Sequence, residues 1–265
     1  MDRRAILAQA GMLVAAGAGA AVPGTPAIPG AAKALDTTSA QALFDAYVRI
    51  RGSLGSGLVY ERVAGWTYGT VPGEPQRLLW RLDGFSVTRF RRTANGDYAG
   101  RYRYLGALRD AQDGALLRQF DNPYTGQRCD APLSQYGPTT LYLTPGGVRY
   151  SEDAPAGPAL QPSRLGEWVY FTDEVAPLLE PARQPKFDVV SYGALAAEAF
   201  DPRHDSVRAT SGFSATERWR PWMKMGDRPG ALFWHTLSAK VGRDEIPADL
   251  WTLARTVWGE AIEDL

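Results

Sequence analysis

Turn dipeptides between short β-type segments are the feature that most constrains the fold of this chain. Asn95-Gly96, Asp113-Gly114 and Gly146-Gly147 are each flanked by alternating or β-branched residues, which is the strongest short-range signal for a β-hairpin. Asp83-Gly84 is either a fourth hairpin turn or a bulge within one long strand. The predicted strands are 58–68, 77–83, 85–92, 98–110, 115–121, 139–144, 148–152, 167–172, 187–193, 207–218 and 230–241.

These segments follow one another without the helix-and-strand alternation of a parallel sheet, and two Pro- and Gly-rich loops are expected at about 122–138 and 153–166. Open edges of a large sheet invite aggregation, so a run of antiparallel strands usually closes on itself or splits. The pattern therefore predicts a mainly β protein, an antiparallel meander that closes into a lipocalin-like barrel or two packed sheets.

A short helix is expected at each end of the meander. Thr38 and Gln41 fit a capping box, and apolar residues at helical spacing continue to Gly52, which predicts a helix at about 39–51. Near the C-terminus, Pro247 suits a first helical turn and one apolar face recurs every three or four residues, which predicts a helix at about 248–263.

We interpret residues 1–34 as a cleaved export signal. Residues 35–265 are expected to form a single β-rich domain. Arg3 and Arg4 precede a weakly apolar, Ala- and Gly-rich run that is too short for a stable membrane span. Paired arginines in this position are typical of the twin-arginine route; an ordinary Sec signal or an uncleaved anchor is the alternative. We expect periplasmic delivery and a mature start near Leu35 or Ile28.

Charge and composition exclude several classes of function. The chain has 29 basic and 29 acidic residues, whereas a nucleic-acid binder is markedly basic, so no nucleic-acid partner is expected. Two histidines and one cysteine exclude an intrachain disulfide, a Cys-rich zinc site and a three-histidine metal centre. Phosphate-binding loops, dinucleotide fingerprints and hydrolase or metalloprotease motifs are absent, so neither a metal nor a cofactor is expected.

Arginines and aromatic residues alternate in the predicted strands near the centre of the chain. In 98–104 the tyrosines, among them Tyr102, share one face, and Arg101 and Arg103 share the other. Because burying many guanidinium groups without partners is costly, we expect the arginines outside and the tyrosines inside. Arg81 and Arg89 are the expected exceptions: Arg81 because a bulge at Asp83-Gly84 reverses its facing, and Arg89 because it shares a face with Phe85 and Val87.

Candidate catalytic groups are few. Glu61, Asp83 and Glu217 are carboxylates within strand-like stretches, and His235 is the imidazole best placed for a cavity, although such a histidine is more often structural. The candidate ligand-binding residues are Trp66, Tyr68, Arg81, Arg89, Tyr102, Trp222 and Met225.

The segment 219–230 has the sequence WRPWMKMGDRPG and is called the aromatic corner below. Its tryptophans and prolines predict a rigid turn that is suited to form the bottom of a pocket or to close the end of a barrel. With the K-x-x-x-D-E-I-P stretch at 240–247, the YGTVPGE stretch at 68–74 and the NPYTG stretch at 122–126, it resembles the bacterial domain-of-unknown-function family eighteen thirty-eight (DUF1838) over about 40–260. That resemblance implies export but no activity. Two segments depart from the pattern of the family, 135–138 and 214–218, and a change in ligand chemistry is expected if they line the site.

Two functions follow from these observations. The first is the binding of a small, largely apolar or aromatic molecule in an aromatic-lined barrel cavity. The alternative is a cofactor-independent lyase, isomerase or cyclase that uses a buried carboxylate, Tyr, Arg and His cluster on such a molecule. A closed apolar cavity favours binding, convergent polar groups in the cavity favour catalysis, and a filled interior favours a structural protein.

Overall fold

The computed structural model describes residues 39–151, 159–173 and 187–265, and the predicted export signal and Thr38 lie outside these ranges. The described helices are α1 (Ala40–Arg51), α2 (Ala196–Ala199) and α3 (Ala248–Trp258). The described strands are β1 (Leu58–Thr70), β2 (Arg77–Arg92), β3 (Tyr98–Arg109), β4 (Gln119–Asp121), β5 (Arg128–Asp130), β6 (Ser134–Thr144), β7 (Gly147–Arg149), β8 (Ser163–Leu165), β9 (Trp168–Asp173), β10 (Phe187–Leu195), β11 (Thr210–Glu217) and β12 (Ala231–Val241).

Ten of these strands form one antiparallel sheet in the order β7-β6-β3-β2-β1-β12-β11-β10-β9-β8, curled into a half-barrel, which confirms the predicted fold class. The first and last strands are neighbours at the centre of the sheet, paired from Tyr60 with Val241 to Thr70 with Ala231. The two edges are the three-residue strands β7 and β8, and short edge strands limit unwanted pairing between molecules. β4 and β5 form a separate two-stranded sheet.

Strand β2 corrects the prediction of a turn or bulge at Asp83-Gly84. β2 runs unbroken through this step, and the register shift against β1 lies between Thr67 and Tyr68 instead. Asp83 forms two ion pairs, with Arg62 and Arg109, so its side chain lies on the outer face of the sheet. The dipeptides at 95–96 and 113–114 lie in the connections after β2 and β3, whereas the turn between β6 and β7 is Pro145-Gly146, with Gly147 already in the strand.

The helices cover opposite faces of the sheet. α1 packs Phe44, Tyr47 and Val48 inside the half-barrel against residues of β2, β3, β6, β9 and β10. Its first turn is capped by the hydroxyl of Ser39, which accepts a hydrogen bond from the backbone N–H of Ala42. α3, shorter than expected, packs Leu250 and Trp251 on the convex face.

A third cluster of buried residues fills the concave side at the opposite end from α1. Trp80 is its centre, with ring centroids 5.1 Å from Phe120, 5.4 Å from Trp222 and 6.0 Å from Trp234. Met223, in the short 3-10 turn of the aromatic corner, is fully buried in the same cluster. The half-barrel is therefore packed at both ends, by α1 and by the aromatic corner.

Candidate functional site

A cavity of about 400 Å³ lies inside the half-barrel between these two packed clusters. Its walls come from β1, β2, β3, β6, β10, β11 and β12, together with the end of α1 and the aromatic corner. The lining residues are Arg51, Glu61, Val63, Leu82, Ser86, Tyr102, Tyr104, Ser134, Gln135, Tyr136, Leu141, Tyr150, Asp188, Val190, Tyr192, Ser211, Phe213, Ala215, Glu217, Arg220, Trp234, Thr236 and Ser238. The cavity thus combines an aromatic wall with convergent polar groups.

Tyrosines dominate the polar part of this lining. Burial raises the pKa of Tyr102, Tyr104, Tyr150 and Tyr192 above the ordinary value of a phenol, so all four are protonated and offer O–H donors at neutral pH. The hydroxyl of Tyr150 is buried and has no hydrogen-bond partner among the described residues. A buried donor without an acceptor is costly, so this hydroxyl is a natural contact for a bound molecule or water.

Arg51, the last residue of α1, supplies a cation at the end of the cavity. Its Nε donates to Oδ2 of Asp173 at 3.3 Å, and the hydroxyl of Tyr47 donates to the same oxygen at 2.7 Å. The guanidinium carbon lies 4.2 Å from the centre of the Tyr192 ring, which is a cation–π contact. Arg51 is thereby fixed in place in the lining of the cavity.

Glu217 and Arg220 form a fixed pair beside the aromatic corner. Oε1 of Glu217 accepts hydrogen bonds from Nε1 of Trp234 at 2.6 Å and from Nε of Arg220 at 2.8 Å. The side chain of Glu217 is only 7% exposed, so both donors are needed to balance its buried charge. This carboxylate therefore holds the side chains of Trp234 and Arg220 in place in the cavity wall.

Glu61 lies in β1, which is separated from β11 by β12 alone, and it has fewer described contacts than Glu217. Its Oε2 accepts a hydrogen bond from Oγ of Ser86 at 3.3 Å. Lys240, its register partner in β12, points its ammonium group to the carbonyl oxygens of Arg49 and Gly52 and to the hydroxyl of Ser206. Burial lowers the pKa of Lys240 to about 7, and the positive charge of Arg51 also lowers it, while the negative charge of Glu61 acts to raise it.

Three of the predicted site residues, Glu61, Tyr102 and Glu217, line the cavity. Trp222 and Met225 belong to the packed cluster that closes its end, where Sδ of Met225 lies 3.2 Å from Nδ2 of Asn122. The aromatic corner therefore seals the half-barrel, one of the two roles that its composition suggested.

The other predicted site residues lie on the convex face. Arg81 and Arg89 are exposed, because β2 continues without a bulge and its odd-numbered residues keep facing outward from Arg81 to Arg89. Their expected inward orientation is therefore not observed, and the expectation for Arg101 and the tyrosines of β3 is confirmed. Asp83 lies on the same outer face.

Trp66, Tyr68 and His235 also face away from the cavity. Trp66 is 39% exposed and is the register partner of both Arg81 and His235. Tyr68 lies beside Phe233, with ring centroids 6.4 Å apart. Nδ1 of His235 lies 3.0 Å from Oγ of Ser214, so this imidazole is held in an outer hydrogen bond.

Several lining residues were not predicted from the sequence. Tyr104 shares the inward face of β3 with Tyr102, so strict alternation along the strand identifies it. Asp188 and Tyr192 share the inward face of β10, whereas Arg51 ends α1 and Tyr150 follows β7, and no local pattern connects these three elements. The two segments that depart from the family resemblance do line the cavity, through Gln135 and Tyr136 and through Ala215 and Glu217.

Fold and site define this protein as a curled antiparallel β half-barrel with an interior, tyrosine-rich cavity. The chain belongs to the family described as Protein of unknown function (DUF1838), whose model matches residues 59–132 and 185–257. This confirms the family resemblance, in two segments that contain β1 to β5 and β10 to β12. No curated protein matches the chain.

Two further observations concern metals and membranes. Within the described ranges, no group of three or more His, Cys, Asp and Glu side chains is arranged to hold a metal ion. None of the helices in the described part of the chain has the length and hydropathy needed to cross a bilayer.

Proposed function

We propose that the protein binds one small molecule with a flat, apolar or aromatic body and oxygen acceptors in the interior cavity. The observation that carries this proposal is a cavity of about 400 Å³ between two packed clusters, with Tyr102, Tyr104, Tyr150 and Tyr192 in its lining. This volume lies in the ordinary range of small-molecule sites, about 300–1,000 Å³. A structural protein has no need of such a space, because unfilled volume costs packing energy.

The lining indicates the chemistry of the ligand. Val63, Leu82, Phe213 and the ring of Trp234 give an apolar surface for the body of the molecule. The protonated phenols are hydrogen-bond donors, so the ligand is expected to carry oxygen acceptors such as carbonyl or ether groups. This refines the expectation from the sequence, which was a largely apolar or aromatic molecule.

Native mass spectrometry of the protein purified from its own host tests this proposal. We expect a mass excess corresponding to one small molecule, which is lost on denaturation. Two neighbouring residues of β12 give a matched pair of variants: Ser238 lines the cavity, whereas Leu237 is 54% exposed on the convex face. Ser238→Phe should lose the mass excess and Leu237→Phe should keep it, with both folded by circular dichroism.

A native protein without bound mass contradicts the proposal if it also binds none of a panel of aromatic ketones, ethers and phenols at millimolar concentration. Equal retention of ligand by both Phe variants places the ligand elsewhere on the protein.

The proposed place of this binding is the periplasm, reached through the twin-arginine route. The support is the Arg3-Arg4 pair before a weakly apolar run. Replacing both arginines with lysine should retain the protein in the cytoplasm, as measured by fractionation of the host. An unchanged periplasmic yield would rule out the twin-arginine route, and a cytoplasmic wild-type protein would rule out export.

A further inference from the structure

Glu61 stands in a row of polar side chains that crosses the concave face of the sheet. Glu61 pairs with Ser86, Ser86 with Tyr104 and Tyr104 with Tyr136, through four neighbouring strands. Strands lie about 4.8 Å apart, so Glu61 and Tyr104 are separated by roughly 10 Å at the backbone, with only the short serine between them. Glu61, Ser86, Tyr104 and Tyr136 all line the cavity, so this polar row crosses its wall.

Of the two glutamates that line the cavity, Glu61 has the weaker described hydrogen bonds. Glu217 holds Trp234 and Arg220 with bonds shorter than 3 Å, whereas Glu61 has a 3.3 Å contact with a neutral hydroxyl. The nearest ammonium, that of Lys240, is turned to backbone carbonyls of the helix end. Glu61 therefore combines a position in the cavity with oxygen atoms that can accept a proton from a ligand.

Phenolic donors face the same space. Tyr102 lies two residues from Tyr104 on the inner face of β3, and Tyr192 closes the cavity from β10 under the guanidinium of Arg51. The charge of Glu61 is among the causes, after burial, that raise the pKa of both phenols, which places all three groups within electrostatic reach of one another. Protonated donors in a buried site stabilise negative charge on a ligand oxygen.

We propose that this site catalyses enolisation of a flat ketone, with the carboxylate of Glu61 as the base and the hydroxyls of Tyr102 and Tyr192 as donors to the ketone oxygen. This inference rests on the proposed binding function and names its substrate class. Glu61 takes a proton from the carbon next to the carbonyl group. The C–H electron pair forms the C=C bond, and the π pair of the carbonyl group moves onto oxygen as the enolate.

The protonated Glu61 then returns its proton to the same carbon, or to the far carbon of a conjugated enolate. The first outcome exchanges hydrogen with solvent and the second isomerises a double bond. Both outcomes conserve atoms and electrons and require no co-reactant. Buried donors that favour the enolate, beside a base of the carboxylate type, are an established combination for this chemistry.

Hydrogen exchange of cyclic ketones in D₂O tests the inference. The probes are 2-tetralone, 2-indanone and cyclohex-3-enone; binding is measured by ligand-observed NMR and loss of the α-proton signal by ¹H NMR. We expect exchange above the buffer rate for the probes that bind. Glu61→Gln should keep the binding and slow the exchange by at least about a hundredfold.

Tyr102→Phe should slow the exchange by at least about tenfold, since it removes one donor to the oxygen. The control is His235→Gln on the convex face, which should exchange at the wild-type rate. Bound ketone with exchange no faster than in buffer, or full exchange by folded Glu61→Gln, overturns the inference and leaves the proposed binding intact. Failure of every ketone to bind also overturns it, while native mass spectrometry of the host protein decides the binding function separately.

Discussion

Gly84 and Gly106 face each other as register partners in β2 and β3, so neither strand carries a side chain at this point of the sheet. A Cβ atom at Gly84 would lie 2.3 Å from the carbonyl oxygen of Leu105. A Cβ atom at Gly106 would instead meet the hydroxyl of Tyr104 at 2.5 Å. The first obstacle is rigid backbone and the second is the end of a cavity side chain.

We therefore expect Gly84→Ala to destabilise the protein and Gly106→Ala to disturb the cavity. Gly84→Ala should lower the free energy of unfolding by about 2 kcal/mol, a typical cost of overpacking. Gly106→Ala should cost less and should weaken ligand retention, because it displaces Tyr104. Urea unfolding and native mass spectrometry measure the two effects.

The matched control for both variants is Gly212→Ala, where the nearest atom would be 3.9 Å away, and we expect it to behave like the wild type. If Gly84→Ala and Gly212→Ala lower the free energy of unfolding equally, the close approach of β2 and β3 at Gly84 does not exclude a methyl group.

Alternation along single strands predicted much of the inner and outer faces. Tyr102 and Arg101 lie on the faces expected from their spacing, because side chains alternate between the two faces of β3, although α3 covers the outer face around Leu105 and Ala107. The same rule places Glu61 on the inner face of β1 and Trp66 and Tyr68 on its outer face. Residues an odd number of positions apart face opposite sides of a regular strand, so Glu61 and Trp66 do not share a cavity.

Other parts of the site required the three-dimensional structure. Asp83-Gly84 has the composition of a turn, yet Asp83 is held by two arginines and Gly84 permits close strand packing. The segment 134–138 has the composition of a loop, yet it forms the start of β6, where proline is tolerated because no strand pairs on its other side. Long-range contacts override local composition at both places.

The aromatic corner should contribute to stability more than an outer tryptophan. Trp222 packs against Trp80 and Phe120 in the cluster that closes the half-barrel, so we expect Trp222→Ala to lower the free energy of unfolding by about 3 kcal/mol. Trp66→Ala, at a 39% exposed position, should cost less than half as much. Urea unfolding compares the two, and equal losses would show that Trp222 is not part of the core.

The pair of Arg51 and Asp173 should behave as a buried ion pair. Their side chains are 9% and 3% exposed, so Asp173→Asn leaves a buried guanidinium without its counter-charge, and we expect a loss of about 3 kcal/mol or more. The control is Asp121→Asn, whose partner Arg128 lies 3.8 Å away at the surface, with an expected change below about 1 kcal/mol. Similar losses in urea unfolding would contradict the buried role of Asp173.

The free energy of unfolding should fall at alkaline pH as the phenol of Tyr60 loses its proton. Burial, together with a hydrogen bond to Glu263, raises the pKa of Tyr60 to about 12, above its ordinary value of 10.0. Because the folded state holds this proton more tightly than the unfolded state, the stabilisation is complete below pH 10 and is lost as the pH rises through 12.

The difference in unfolding free energy between wild type and Tyr60→Phe isolates this contribution, since the other buried tyrosines titrate in both proteins. At pH 8 the wild type should be the more stable, because it keeps the hydrogen bond to Glu263. Between pH 10 and 12 the difference should shrink, and urea unfolding at intervals of half a pH unit follows it. A difference that stays constant over this range would mean that the phenol of Tyr60 titrates equally in both states.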